Sequence, residues 1–201
     1  MNLKLAAFRG MQSQKGVCKV RSREMPGYFY IELNQKLVVL HYNYFQRGGT
    51  LNIISEFDRT ILDVSTILGR PIEKHKYRII DRGVPHQPKV LPAQTMGVYT
   101  FWYDGEFLKI GKAGPNSNAR FFSQHYNPRS ARSTLAASIL QDTRMQGKGI
   151  DEGNVGQWIK NNCRRIDILL DSDLGIFSLE LIEAALHYKY EPVYEGFSNQ
   201  R

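Results

Sequence analysis

Apolar and polar positions along the 201-residue chain alternate with two periods, which separate strand-like from helix-like stretches. Residues 27–34 (GYFYIELN) and 37–44 (LVVLHYNY) are rich in aromatic and β-branched side chains and read as a hairpin turning near Asn34-Gln35. Residues 55–71 (SEFDRTILDVSTILGRP) place Phe57, Ile61, Val64 and Leu68 on one helical stripe. Ser55 with Asp58 resembles a capping box there, and Gly69 and Pro71 stop the helix. Residues 76–80 (KYRII) read as a strand. The next stretch, 82–94, holds three prolines and no apolar period, so it is expected to be a linker. Strands follow at 97–103 and 106–111, then a short helix over Asn118–His125 and a second helix within 128–141. After a glycine-rich loop at 144–154, Asn154 opens a helix running through Trp158. RRIDILL (164–170) reads as a buried strand, and 175–190 is the longest helical segment, ended by Pro192.

These elements predict an α+β chain divided near residue 92, with domains 1–92 and 93–201. Charge supports the division. Residues 1–92 carry 15 Lys and Arg against 7 Asp and Glu, whereas 93–201 carry 12 of each, so the whole net charge of +8 lies in the first part. A basic domain of this kind suits a polyanion, most simply nucleic acid, although it also serves as an ordinary solubilising surface. No apolar run reaches the length of a membrane span, and the opening residues carry too few apolar positions for a secretory leader. Cys18 and Cys163 lie far apart with no CxxC spacing, which argues for a reducing compartment and against a zinc site. A cytoplasmic protein without a membrane partner is expected.

Candidate chemistry concentrates in MGVYTFWYDGEFLKIGKAG (96–114). A two-residue Asp104-Gly105 turn would pair Tyr103 with Glu106 and leave Tyr99 and Lys109 on opposite faces. A three-residue Tyr103–Gly105 loop would instead set Tyr99 directly across from Lys109, with Cβ atoms about 5 Å apart. An ammonium there would stabilise the phenolate and make a tyrosine base. An aromatic hairpin with a snorkelling lysine fits the same residues. In the last helix, Glu183 falls on the arc of Ile176, Leu179, Leu186 and Tyr190, with Glu180 and His187 on the same side. A carboxylate in that apolar arc needs a partner, either an arginine or a hard divalent cation such as Mg²⁺.

Taken in order, GVY (97–99), KIGKAG (109–114), Arg120 and EAALHYKYEPVY (183–194) resemble the GIY-YIG nuclease superfamily over about residues 95–196. The resemblance implies a small domain with a three-stranded antiparallel or mixed sheet flanked by helices, preceded here by the basic α+β N-terminal domain. Tyr99 matches the tyrosine of the first motif. Lys109 stands where most members have the second tyrosine, as in a subset that includes restriction enzymes, whose first tyrosine is the proposed base. Arg120 matches the family arginine, His125 or Tyr126 the following His/Tyr, and Glu183 the metal-binding glutamate. Glu195 replaces the asparagine that often follows Pro-x-Tyr.

The implied activity is hydrolysis of DNA phosphodiester bonds with one Mg²⁺ or Mn²⁺ per active site. Tyr99, tuned by Lys109, would be the base, Arg120 would stabilise the transition state, and Glu183 would hold the metal. Lys112 would bind a neighbouring phosphate, and Arg47, Arg70, Lys74 and Lys76 would reach the duplex. A sequence-specific, restriction-type enzyme cutting both strands implies a homodimer. Alternatives are a nicking nuclease of repair, mobile-element or phage-defence type, a catalytically idle DNA-binding protein, and an RNA-processing enzyme.

Overall fold

The computed structural model describes the backbone of residues 22–25, 28–33 and 36–40, and backbone and side chains of residues 53–131 and 133–195. The chain forms two units, Met1–Leu51 and Asn52–Arg201. In the first, β1 (Ser22–Met25), β2 (Tyr28–Leu33) and β3 (Lys36–Leu40) form an antiparallel sheet in that order. The β2–β3 register, Leu33 opposite Lys36, is the one the hairpin reading requires. Arg47 and Cys18 lie outside the described residues.

The second unit begins with α1 (Ile53–Ile67) and continues through β4 (Tyr77–Gly83), β5 (Thr95–Tyr103), β6 (Glu106–Ala113), α2 (Asn118–Phe122), α3 (Leu135–Gln141), α4 (Val155–Asn162), β7 (Arg164–Asp171) and α5 (Ile176–Tyr190). Its sheet is antiparallel with order β4-β7-β5-β6. Four strands therefore stand where three were expected. The fourth, β4, comes from the stretch assigned to the N-terminal domain, and it pairs with β7 from Tyr77 opposite Leu170 onward. Helix α1 joins it, since Phe57 packs against Phe107 and Tyr190 at centroid distances of 5.9 and 5.6 Å. The units thus meet near residue 51 rather than 92, because the apolar faces of α1 and β4 are buried in the second core.

Other sequence expectations shift for local reasons. Helix α1 starts before Ser55, so Ser55 lies inside it, and its buried stripe is Ile53, Phe57, Ile61 and Ser65, while Leu68 is exposed. The helix expected within 128–141 covers only Leu135–Gln141, where Thr134 Oγ1 accepts from the Ala137 amide and caps it. Asn154 sits at the start of α4, but its Oδ1 accepts from the Asp151 amide instead of capping the helix.

Strand parity divides the sheet into two faces. Tyr99, Phe101, Ala113 and Leu169 face a core completed by Phe121 of α2, Leu135, Ala136 and Ile139 of α3, and Val155 and Ile159 of α4. Phe107 and Lys112, on the opposite face, meet Tyr190 and Glu183 of α5. The proline-rich stretch after β4 is no free linker. His86 is buried, its Nδ1 donating to the Cys163 carbonyl at 2.8 Å, and Leu91 packs on the Tyr99-face core. Among the described residues, no helix is long and apolar enough to cross a membrane.

Candidate active site

The β5–β6 hairpin decides the position of Tyr99. Its turn is the two-residue one, with Asp104 and Gly105 both at positive φ (51° and 89°) and Tyr103 opposite Glu106. That turn alone would send Tyr99 and Lys109 to opposite faces. A β-bulge intervenes: Trp102 pairs with Phe107 but Phe101 with Lys109, so Leu108 is an extra residue on β6. The slip restores the parity. Tyr99 lies opposite Gly111, and Lys109 shares its face two pairs further along, opposite Phe101. The expected co-facial arrangement exists, through a bulge rather than a three-residue loop, and Tyr99 is not directly opposite Lys109.

Two motif glycines make room for the rings. A Cβ on Gly111 would lie 2.5 Å from Tyr99 Oη, so the phenol runs across β6 only because residue 111 has no side chain. A Cβ on Gly97 would lie 2.7 Å from Phe121 Cε2, and Phe121 in turn meets the Tyr99 ring edge-on at 6.1 Å. The Tyr99 oxygen is thereby carried over β6, the edge strand of the sheet, past which α5 runs on the other face. His187 of α5 donates from Nε2 to the Ile110 carbonyl at 2.9 Å. Beyond α5, the amides of Val193 and Tyr194 donate to the carbonyls of Phe107 and Leu108, both at 2.9 Å. That backbone pairing at the bulge delivers Glu195 to Lys109.

Tyr99 Oη has two close neighbours. Arg120 Nε donates to it at 3.1 Å, and His125 Nε2 lies 2.6 Å away. Tyr99 is fully buried, and burial pushes its pKa up to about 12. Arg120 works against that rise, while the carboxylates of Glu195 and Glu183 add to it. The Lys109 ammonium is turned to the C-terminal segment. It pairs with Glu195 Oε1 at 3.0 Å and reaches the Tyr194 carbonyl at 3.5 Å. The tuning expected of Lys109 is thus exerted by Arg120, and the field of Lys109 falls on His125, which burial together with Lys109, Arg120 and Arg165 holds down at about 3.

Glu183 is one side of an ion pair, as a carboxylate on an apolar arc requires, but its partner is Lys112 at 2.5 Å and not an arginine. Lys112 also lies 3.9 Å from Glu180. Lys112 is therefore held by carboxylates. Lys74 likewise pairs with Asp58, and Lys76 with Asp173 at 2.6 Å and Asp171 at 3.8 Å, whereas Arg70 is exposed. Of the expected site residues, Tyr99, Arg120 and His125 touch directly. Lys109 and Glu183 join them through shared fields, and Arg70, Lys74 and Lys76 belong to other surfaces.

The sequence reading missed what lies beneath. Arg165 and Asp167 are buried on the Tyr99 face and bonded to each other, Nε to Oδ1, at 2.8 Å. Asp167 also accepts from Arg82 at 2.7 Å. Arg165 donates to the Phe121 carbonyl and the Tyr126 hydroxyl, both at 2.8 Å. Those acceptors adjoin Arg120 and His125 in the chain, so one buried guanidinium ties down the segment bearing both groups on Tyr99. Tyr126 hydrogen-bonds His86 Nε2 at 2.8 Å, so it belongs to this support while His125 takes the place on Tyr99. A signal was available in RRIDILL: Arg165 and Asp167, two apart in a strand, must share a face and neutralise each other.

Among the described residues, no cluster of three or more His, Cys, Asp and Glu side chains could hold a metal ion. No protein-family model matches the chain, and comparison with curated proteins and with solved structures finds no match.

Proposed function

We propose that this protein is a Mg²⁺- or Mn²⁺-dependent DNA endonuclease with GIY-YIG-type chemistry, of restriction type, its basic N-terminal region gripping the duplex and a two-fold pair of chains cutting both strands. One observation carries the reading: a buried tyrosine oxygen with an arginine and a histidine upon it, in the field of a carboxylate, Glu183, that holds the Lys112 ammonium. Mg²⁺ retains several waters and takes one or two protein carboxylates together with substrate phosphate. Glu183 fits such a site, because it holds the Lys112 ammonium and is flanked one turn away by Glu180. When bound, the metal neutralises phosphate charge and assists departure of the 3′ oxygen.

The chain's own groups supply the rest. Tyr99 takes a proton from the attacking water. Glu183 would hold the cation, and its carboxylate is one of the two charges that add to the burial-raised Tyr99 pKa, so a divalent cation there would favour the phenolate. Arg120, anchored through Nε, offers its remaining N–H groups to the phosphoryl oxygens as charge builds on them. Lys112 exchanges Glu183 for a backbone phosphate.

The test is incubation of supercoiled plasmid and phage DNA with Mg²⁺ and either the purified protein or its Glu183→Ala variant. Discrete fragments from the wild type alone are expected, with DNA binding retained in the variant. Nicked circles would assign the nicking class instead. Intact DNA in both lanes, bound in a gel shift, would refute the nuclease reading.

A further inference from the structure

His125 is the closest group to Tyr99 Oη, and a histidine beside a tyrosine is readily read as the base that takes its proton. The second ring nitrogen decides otherwise. The amide of Leu135, the first residue of α3, donates to His125 Nδ1 at 3.3 Å. An acceptor cannot carry a proton, so Nδ1 is bare and the neutral ring holds its hydrogen on Nε2. Nε2 therefore donates to Tyr99 at 2.6 Å. A doubly protonated ring would set an N–H against the Leu135 N–H. Its charge would also meet Lys109 of β6, Arg120 of α2 and Arg165 of β7.

We propose that His125 is a positioning residue for Tyr99, a fixed donor whose tautomer the Leu135 amide selects, and not a proton acceptor. With Arg120 Nε, it supplies two N–H donors to a single phenol oxygen. Two donors on one oxygen favour the phenolate and steer the tyrosine's own hydrogen away from both. The last lone-pair direction of the phenolate is left for one hydroxyl partner. Under the nuclease reading, on which only this consequence rests, that partner is the attacking water.

Long-range ¹H–¹⁵N NMR of the histidine rings, assigned with His125→Gln, reads the tautomer without any substrate. The expected spectrum of His125 shows a protonated Nε2 and a bare Nδ1 from pH 5 to 8. A protonated Nδ1, or a ring that takes up a second proton in that range, would overturn the inference whether or not the protein cuts DNA. Cleavage rates then test the role. His125→Ala is expected to lose about a hundredfold, and His125→Gln, whose amide can donate but cannot take a proton, to recover at least tenfold of that loss. His125→Gln as slow as His125→Ala, with both folded by circular dichroism, would contradict a donor role. If the wild type cuts nothing while the ring shows the expected tautomer, the nuclease reading fails and the donor assignment stands.

Discussion

At the scale of residues, the site depends on what is missing at position 111 as much as on what is present at 99. The Tyr99 ring occupies the space where a side chain on Gly111 would be. Gly111→Ala must push the phenol off Arg120 and His125 or shift β6. A loss of about 1–3 kcal/mol in stability is expected from such overpacking, together with a fall in cleavage larger than that of an exposed-loop control. Thermal melts and cleavage rates of the same preparation check this. His86 and His125, both buried, give a second prediction. Burial chiefly lowers His86 to about 4 and His125 to about 3, below the unfolded value of 6.5. Between those limits the unfolded chain binds more protons, so the stability these residues confer is complete above pH 6.5 and falls as pH drops. The slope is up to about 1.4 kcal/mol per pH unit for each histidine. Melting temperatures should fall measurably from pH 6.5 to pH 5, above the range in which ordinary aspartates titrate; a flat profile would show that the rings are not held neutral.

At the scale of elements, local patterns were legible and partnerships were not. The β2–β3 hairpin, the strands around Asp104-Gly105, the buried strand at 164–171 and the long last helix all stand where apolar period and turn residues put them. Tyr99, Arg120 and one of His125 or Tyr126 could likewise be named from the motif order, and Tyr99, Arg120 and His125 meet at one oxygen. The bulge at Leu108 could not, because an inserted residue leaves no mark on the apolar pattern of so short a strand, yet it sets the face of Lys109. Nor could the partner of β4: an apolar run predicts a strand without saying which edge it joins. The proline-rich stretch misled for a related reason, since His86 is buried through hydrogen bonds that no periodicity records. The pairing of β4 with β7 yields a test. A chain beginning at residue 93 loses α1 and β4, which exposes the β7 edge and the faces of Phe107 and Tyr190. It should aggregate or lack a cooperative melt, whereas a chain beginning at residue 52 should melt cooperatively. Equal folding of both would place the boundary back near residue 92.

At the scale of the whole molecule, the basic character and the proposed chemistry lie in different parts of the chain. The positive excess sits in residues 1–92, while the residues proposed to hydrolyse the phosphodiester all follow residue 96. Within the second unit, Lys74, Lys76 and Lys112 are committed to carboxylates, whereas Arg70 is exposed. The central claim is that the buried Tyr99 oxygen, held by two donors, takes the proton of the attacking water. Single-turnover cleavage of an end-labelled duplex by the wild type and by Tyr99→Phe in Mg²⁺ tests it most directly, since that change removes one oxygen and leaves the ring packing. A rate loss of about a thousandfold or more is expected with the duplex still bound, in the range of general-base removal combined with lost orientation. A Tyr99→Phe protein that cuts within about threefold of the wild type would contradict it.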